Sequence, residues 1–221
     1  MKWLYALLLS LLSVTAQAQV ESFYEAQQNL IRYYQSGTYM KEFSAVTEQA
    51  MATLKKAVAN RKSGEKIAIV LDVDETALSN IQLIFAAYSL VYKVGDSVPL
   101  SFFEPFQSPY HAPALWPVLQ LYRYALAHNV AIFFVSARRG EGLLLTEKNL
   151  QEVGFTAWNE VMLLGPSDTE ITSEAFKTRC RGEIVKKGYT IVLTLGDQNS
   201  DVNGPNTGKA FRLPNPFYYT P

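Results

Sequence analysis

Residues 66–80 read Lys-Ile-Ala-Ile-Val-Leu-Asp-Val-Asp-Glu-Thr-Ala-Leu-Ser-Asn. Lys66 to Leu71 is a short, nearly continuous apolar run rich in β-branched residues. A strand buried on both faces has this composition, and such strands belong to parallel sheets. Asp72 and Asp74 follow at once. Alternate residues of an extended chain face the same side, so the two carboxylates converge on one spot. Like charges brought together are costly unless a cation or a shared proton relieves them. A turn leading into a helix cap also draws on Asp and Thr, and is the plainer alternative.

Outward from this stretch the pattern repeats. Val130–Val135, Val161–Leu164 and Tyr189–Leu195 are further apolar runs, and helix-like segments cover 116–128, 141–153 and 174–187. Upstream, Val46, Ala50, Leu54, Ala57 and Val58 recur at helical spacing, which predicts a helix over 44–60 with Ser44 as its cap and Gly64 ending the region. Strands alternating with helices predict an α/β fold, a Rossmann-like parallel sheet flanked by helices. Residues 80–115 interrupt the alternation with Pro99, Pro105, Pro109 and Pro113 among many aromatics. This segment reads as a small, mostly helical, aromatic-rich cap insertion folded over the sheet.

In open α/β sheets, ligands sit beyond the carboxyl ends of the strands. The second strand ends Phe-Phe-Val-Ser-Ala-Arg-Arg-Gly (133–140), which offers the Ser136 hydroxyl and Arg138. The fourth ends Leu-Thr-Leu-Gly-Asp-Gln-Asn-Ser-Asp (193–201), which supplies Asp197 and Asp201. That spacing suits one carboxylate on a metal and another orienting it, with Asx-turn chemistry as the alternative. Lys177 lies in a helix-like segment, where taken alone it reads as a surface charge. Cys180, on the same helix, reads as a small core side chain.

The order of Asp-Val-Asp-Glu-Thr (72–76), a strand ending in Ser136, Lys177 and then Gly-Asp-x-x-x-Asp (196–201) resembles the haloacid dehalogenase superfamily of phosphotransferases. With Phe-Arg-Leu-Pro-Asn-Pro-Phe-Tyr-Tyr (211–219), the likeness narrows to the secreted acid phosphatases of classes B and C, a group that includes plant vegetative storage proteins. It runs from about Tyr33 to the C-terminus. Ala137 stands where Gly or Asn often follows the Ser, and Asn199 stands where Trp is common. The resemblance implies Asp72 as nucleophile and Asp74 as general acid/base. It implies Ser136 and Lys177 on the phosphoryl group, with Arg138 beside them, and Mg²⁺ as cofactor. The metal would be held by Asp72, the Asp74 backbone carbonyl and Asp197, with Asp201 in support. Asp at position 74 points to hydrolysis of small phosphomonoesters or to phosphoryl transfer to an alcohol. A storage or binding protein without catalysis is the rival from another class, and the intact set of side chains argues against it.

Composition narrows the rest. The chain has 221 residues, 48% apolar and 18% charged, which excludes a disordered or fibrous protein. Basic and acidic residues balance at 20 each, so a scaffold for nucleic-acid polymers is not expected. One cysteine excludes an intramolecular disulfide framework. Lys2, the apolar run Trp3–Val14 and Ala16-Gln17-Ala18 predict a signal peptide over 1–18. The run is too short to cross about 30 Å of hydrocarbon, so no stable membrane anchor is expected and the domain over 19–221 is read as periplasmic or secreted. Oligomeric state is open, and a homodimer is compatible with the sequence. Gly-Pro-Asn-Thr-Gly-Lys (204–209) is one residue short of a phosphate loop and lacks its Ser or Thr. Tyr110, His111, Tyr218 and Tyr219 are the side chains expected near a substrate's leaving group, on which an aromatic ring would stack.

Overall fold

The computed structural model describes residues 21–94, 111–168 and 171–220. Two helices open it, α1 (Phe23–Gln35) and α2 (Thr38–Ala59), followed by β1 (Ile67–Leu71) and α3 (Ile81–Val94). Then come α4 (Trp116–Ala127), β2 (Ala131–Arg139), α5 (Leu143–Glu152), β3 (Glu160–Leu164) and α6 (Ser173–Lys186). The chain closes with β4 (Thr190–Gly196), the one-turn α7 (Asn199–Val202) and β5 (Lys209–Arg212). The five strands form one sheet in the order β3-β2-β1-β4-β5, and every pairing is parallel. The expected α/β architecture is therefore present, and β1 is its central strand.

Burial of β1 accounts for its composition. Ile67, Ile69 and Leu71 join a core with α2 and α4 on one face of the sheet, through Phe43, Leu54, Val118 and Leu121. Ala68 and Val70 join Phe133, Val135 and the α6 residues Phe176, Cys180 and Ile184 on the other. Cys180 is thus the small core side chain expected of it. Period-two alternation feeds two apolar layers, so no polar residue is tolerated along the strand.

Several boundaries differ from the sequence expectation. The helix read over 44–60 begins at Thr38, and Gly37 at φ 79° precedes it, so Ser44 lies inside the helix and caps nothing. α1 was not expected at all. Its start is a capping box, in which the Ser22 hydroxyl accepts from the Glu25 amide and Glu25 returns a bond to the Ser22 amide. β2 runs on to Arg139 with a register shift between Ser136 and Arg139, so Ser136 and Arg138 are strand residues rather than residues beyond it. β5 was also unforeseen, because Lys-Ala-Phe-Arg has no apolar run to betray it. Within the proposed cap, α3 is helical as expected, while 95–110, and Tyr110 with it, lie outside the described residues.

The aromatic richness has a structural use beyond the cap. Phe217 of the C-terminal segment packs edge-on against Tyr39 (ring centroids 5.3 Å apart) and Phe85 (5.7 Å), and Tyr34 meets Phe85 at 5.5 Å. One cluster thereby joins α1, α2, α3 and the chain end, and it anchors the last residues beside the strand ends.

Candidate active site

The turn after β1 is tight. Val73 O accepts from the amides of Ala77 (2.9 Å) and Leu78 (2.8 Å), and Glu75 adopts φ 51° within it. This turn places Asp72 at the sheet's carboxyl edge, its amide bonded to Leu195 O of β4 at 3.0 Å. Lys177 is not a surface charge. α6, capped by the Thr172 hydroxyl at the Ala175 amide, sends its ammonium inward, where it is 6% exposed. It donates to Asp72 Oδ1 at 2.8 Å and to Asp201 Oδ1.

Asp201 sits in α7, where its other oxygen accepts from the Gln198 amide at 2.8 Å. Asp197 follows β4 and accepts from Gln198 Nε2 (2.5 Å) and Asn215 Nδ2 (2.6 Å) on Oδ2, and from Thr76 Oγ1 (3.4 Å) on Oδ1. One ligand oxygen each from Asp72, Asp197 and Asp201 lies within 4.8 Å of the others, and all three residues are buried. Burial, and then the Asp201 charge, raise the Asp72 carboxyl well above its ordinary range against the pull of Lys177. The same causes push Asp197 up to about 6. Lys177 is held charged by Asp72 and Asp201 although burial opposes it. Three hard oxygen donors converging at this cost are the donor set of a divalent cation such as Mg²⁺, not of a thiolate- or imidazole-bound metal. The trio fits such an ion.

Asp74 is engaged elsewhere. Arg138 donates from Nε to Oδ2 (2.9 Å) and from Nη2 to Oδ1 (2.7 Å), and Asn80 Nδ2 donates to Oδ1 at 2.8 Å. Burial acts upward on this carboxyl, yet the Arg138 guanidinium holds it below the usual range. Its side chain is therefore absent from the metal-like trio, which leaves its backbone carbonyl as the only group it could offer there. Ser136 is buried and its Oγ accepts from the Arg138 amide at 3.2 Å.

Asp72, Asp74, Ser136, Arg138, Lys177 and Asp197 line one cavity of about 520 Å³. The same cavity is lined by Ile84, Ala87 and Tyr88 of α3 and by Phe217, Tyr218 and Tyr219. Asp201 reaches this assembly through Lys177. Tyr219 is 68% exposed at the cavity. Tyr218 also lines the cavity, but its hydroxyl donates to Glu75 Oε2 at 2.5 Å. His111 pairs with Glu152 on the surface and does not line the cavity.

Sequence reasoning missed the supports. Glu75 is fully buried, its Oε1 accepting from the Asn80 amide at 2.6 Å. Arg181, also buried, donates to the carbonyls of Asp201 (2.8 Å), Asn203 and Pro205 (3.1 Å), and so holds the loop that carries Asp201. Asn215 lies inside the C-terminal motif already singled out, which was the available signal for it. Little local marks Arg181: apart from the Thr178 hydroxyl (3.0 Å), it donates to backbone oxygens twenty or more positions away.

A central parallel sheet, aspartates beyond its first and fourth strands and a buried lysine between them define an α/β protein of the haloacid dehalogenase type. The family model described as HAD superfamily, subfamily IIIB (Acid phosphatase), matches residues 6–221, and the chain belongs to that family. It is 34% identical to vegetative storage protein 1 of Arabidopsis thaliana over 152 residues, covering 69% of this chain and 55% of that protein. It is 32% identical to acid phosphatase 1 of Solanum lycopersicum over 182 residues, covering 82% of this chain and 69% of that one. The chain thus spans just over half the length of the storage protein. The class C acid phosphatase of Bacillus anthracis superposes with a TM-score of 0.69 at 25% identity, covering 88% of this chain and 86% of that one. A second crystal structure of that enzyme, at 26% identity and the same TM-score, is described with tungstate bound.

Proposed function

We propose that the chain is an exported, Mg²⁺-dependent acid phosphatase that hydrolyses phosphomonoesters through an aspartyl-phosphate. The observation that carries this reading is the convergence of Asp72, Asp74, Lys177 and Asp197 on one cavity, with Asp201 behind Lys177. Tungstate in the Bacillus anthracis relative supports it, since that anion has the tetrahedral shape of phosphate. Export rests on the N-terminal sequence. Among the described residues, no helix is long and apolar enough to cross a membrane.

In the proposed cycle an Asp72 oxygen attacks phosphorus, the bond to the ester oxygen breaks, and Asp74 gives that oxygen a proton. Water then attacks the phosphoryl-aspartate, Asp74 takes a proton from it, and phosphate leaves with Asp72 restored. Lys177 aligns Asp72 and offsets charge on the phosphoryl oxygens, to which Ser136 donates. Mg²⁺ held by Asp72, Asp197 and the Asp74 carbonyl would supply the positive charge that keeps Asp72 ionised against a phosphate dianion. The Arg138 guanidinium holds Asp74 below the usual carboxylate range, which disfavours the proton-bearing form that the first step uses, so that form becomes populated only toward acid pH.

The wall of Tyr88, Phe217 and Tyr219 suits an aromatic or otherwise apolar leaving group. The test is turnover of p-nitrophenyl phosphate by the purified chain, with Mg²⁺ or chelator, and by Asp72→Asn. Activity that needs the metal and disappears in Asp72→Asn is expected. Full activity in that variant, or in chelator, would refute the mechanism. An inert wild-type chain would favour a storage role like that named for the Arabidopsis relative.

A further inference from the structure

Asp74 is gripped more completely than a side chain on a cavity wall requires. Arg138 holds both of its oxygens, at 2.9 and 2.7 Å, and Asn80 adds a third bond to Oδ1 at 2.8 Å. The guanidinium is itself fixed. Its Nη1 donates to Thr146 Oγ1 of α5 at 3.0 Å, and Thr146 is 1% exposed. One planar group thus ties β2, α5 and the turn after β1 into a rigid unit, with the geometry specific to Arg–carboxylate forks.

The lone pairs decide what this grip does. A carboxylate oxygen accepts two hydrogen bonds in its plane. On Oδ1 both positions are occupied, one by Arg138 Nη2 and one by Asn80 Nδ2. Among the described residues, Oδ2 accepts from Arg138 Nε alone, which leaves it one position. We propose that Arg138, braced by Thr146, is a positioning residue for Asp74, orienting the carboxylate so that Oδ2 alone exchanges the proton with the leaving-group oxygen. The inference rests on the reading of Asp74 as acid/base. As the bond from phosphorus to the ester oxygen breaks, the proton passes from Oδ2 to that oxygen. When water attacks the phosphoryl-aspartate, its proton returns to Oδ2.

A contact to the phosphoryl group, the role expected of Arg138 from the sequence, makes a different prediction. All phosphomonoesters present the same phosphoryl group, so loss of such a contact lowers turnover equally for every ester. Loss of acid positioning is felt most where the departing alkoxide most needs a proton. The experiment compares kcat/KM for p-nitrophenyl, phenyl and alkyl phosphates at saturating Mg²⁺ in wild type, Arg138→Met, Arg138→Lys, Thr146→Val and Asp74→Asn. General acid catalysis is worth about 10²–10⁴-fold, so Arg138→Met should lose on the order of a hundredfold more on alkyl phosphates than on p-nitrophenyl phosphate. Arg138→Lys, with one ammonium in place of a fork, should fall between, and Thr146→Val should shift in the same direction by less. Circular dichroism confirms folding, and if Arg138→Met does not fold, Arg138→Lys and Thr146→Val carry the comparison. Equal losses across the series in the folded Arg138 and Thr146 variants would overturn the positioning role while leaving the proposed mechanism intact. If Asp74→Asn itself showed no dependence on the leaving group, the acid/base reading would fall instead.

Discussion

Replacing Lys177 by Met tests the electrostatic arrangement of the site without any substrate. The ammonium lies between Asp72 and Asp201, whose side chains are 6% and 2% exposed, and Met keeps most of the aliphatic stem. Removing one partner of a buried ion pair costs about 3–5 kcal/mol, because the remaining charge is left without compensation. For a chain of 221 residues, at about 2–4 °C per kcal/mol, Tm should fall by roughly 6–20 °C in chelator.

The penalty should also depend on pH. Asp72 and Asp197 already have folded pKa values above their ordinary ones, and loss of the ammonium raises them further. The folded state then binds more protons than the unfolded state, so stability declines as pH rises. The variant should therefore lose more at about pH 8 than at about pH 5. Saturating Mg²⁺ should narrow the gap, since a cation among the carboxylates replaces part of the missing charge. Thermal unfolding by circular dichroism at both pH values, in chelator and in Mg²⁺, reads all of this. A variant within about 1 kcal/mol of wild type at the higher pH in chelator would refute the reasoning, because the desolvated carboxylates would then not need their lysine.

Two further outcomes follow from the same geometry. A methyl group at Gly196 would overlap Cβ and Cγ of Asp201, so Gly196→Ala must displace the turn that presents Asp201 to Lys177. Mg²⁺ affinity, read as the metal-dependent rise in Tm, should weaken by about 10–100-fold, and an unchanged titration would contradict the assigned support role. Burial, followed by the Asp74 charge, pushes the Glu75 carboxyl from 4.5 up to about 8. A carboxyl that keeps its proton longer when folded than when unfolded makes stability fall as pH rises through that window. Glu75→Gln cannot titrate, and its denaturant midpoints should show a flatter decline over the same range.

How much of this was legible beforehand depends on how far each signal reaches along the chain. β1 declared itself, since a strand sealed on both faces has no place for polar residues and Ile67 to Leu71 are the proof in one line. Asp72 and Asp74 declared themselves by following it directly. Three elements stayed hidden, α1, β5 and the one-turn α7, and none has a continuous apolar run. α1 buries only Gln27 fully, and β5 buries only Phe211.

The sequence by itself determined the alternation of strands and helices, the aspartates at the first and fourth strand ends, and the motif order that marks the family. Strand order, with α6 packed on the sheet, brings Lys177 to Asp72 across 105 positions, and Arg138 to Asp74 across 64. The aromatic cluster around Phe217 carries Tyr218 of the chain end to Glu75 across 143. Only the tertiary structure decided that Lys177 is buried, that Arg138 grips Asp74, and that Asn215 and Arg181 brace the aspartates. The physical reason is that patterning along the chain reports which face of its own element a residue occupies. Which charge it meets there is set by the order in which the parallel strands assemble.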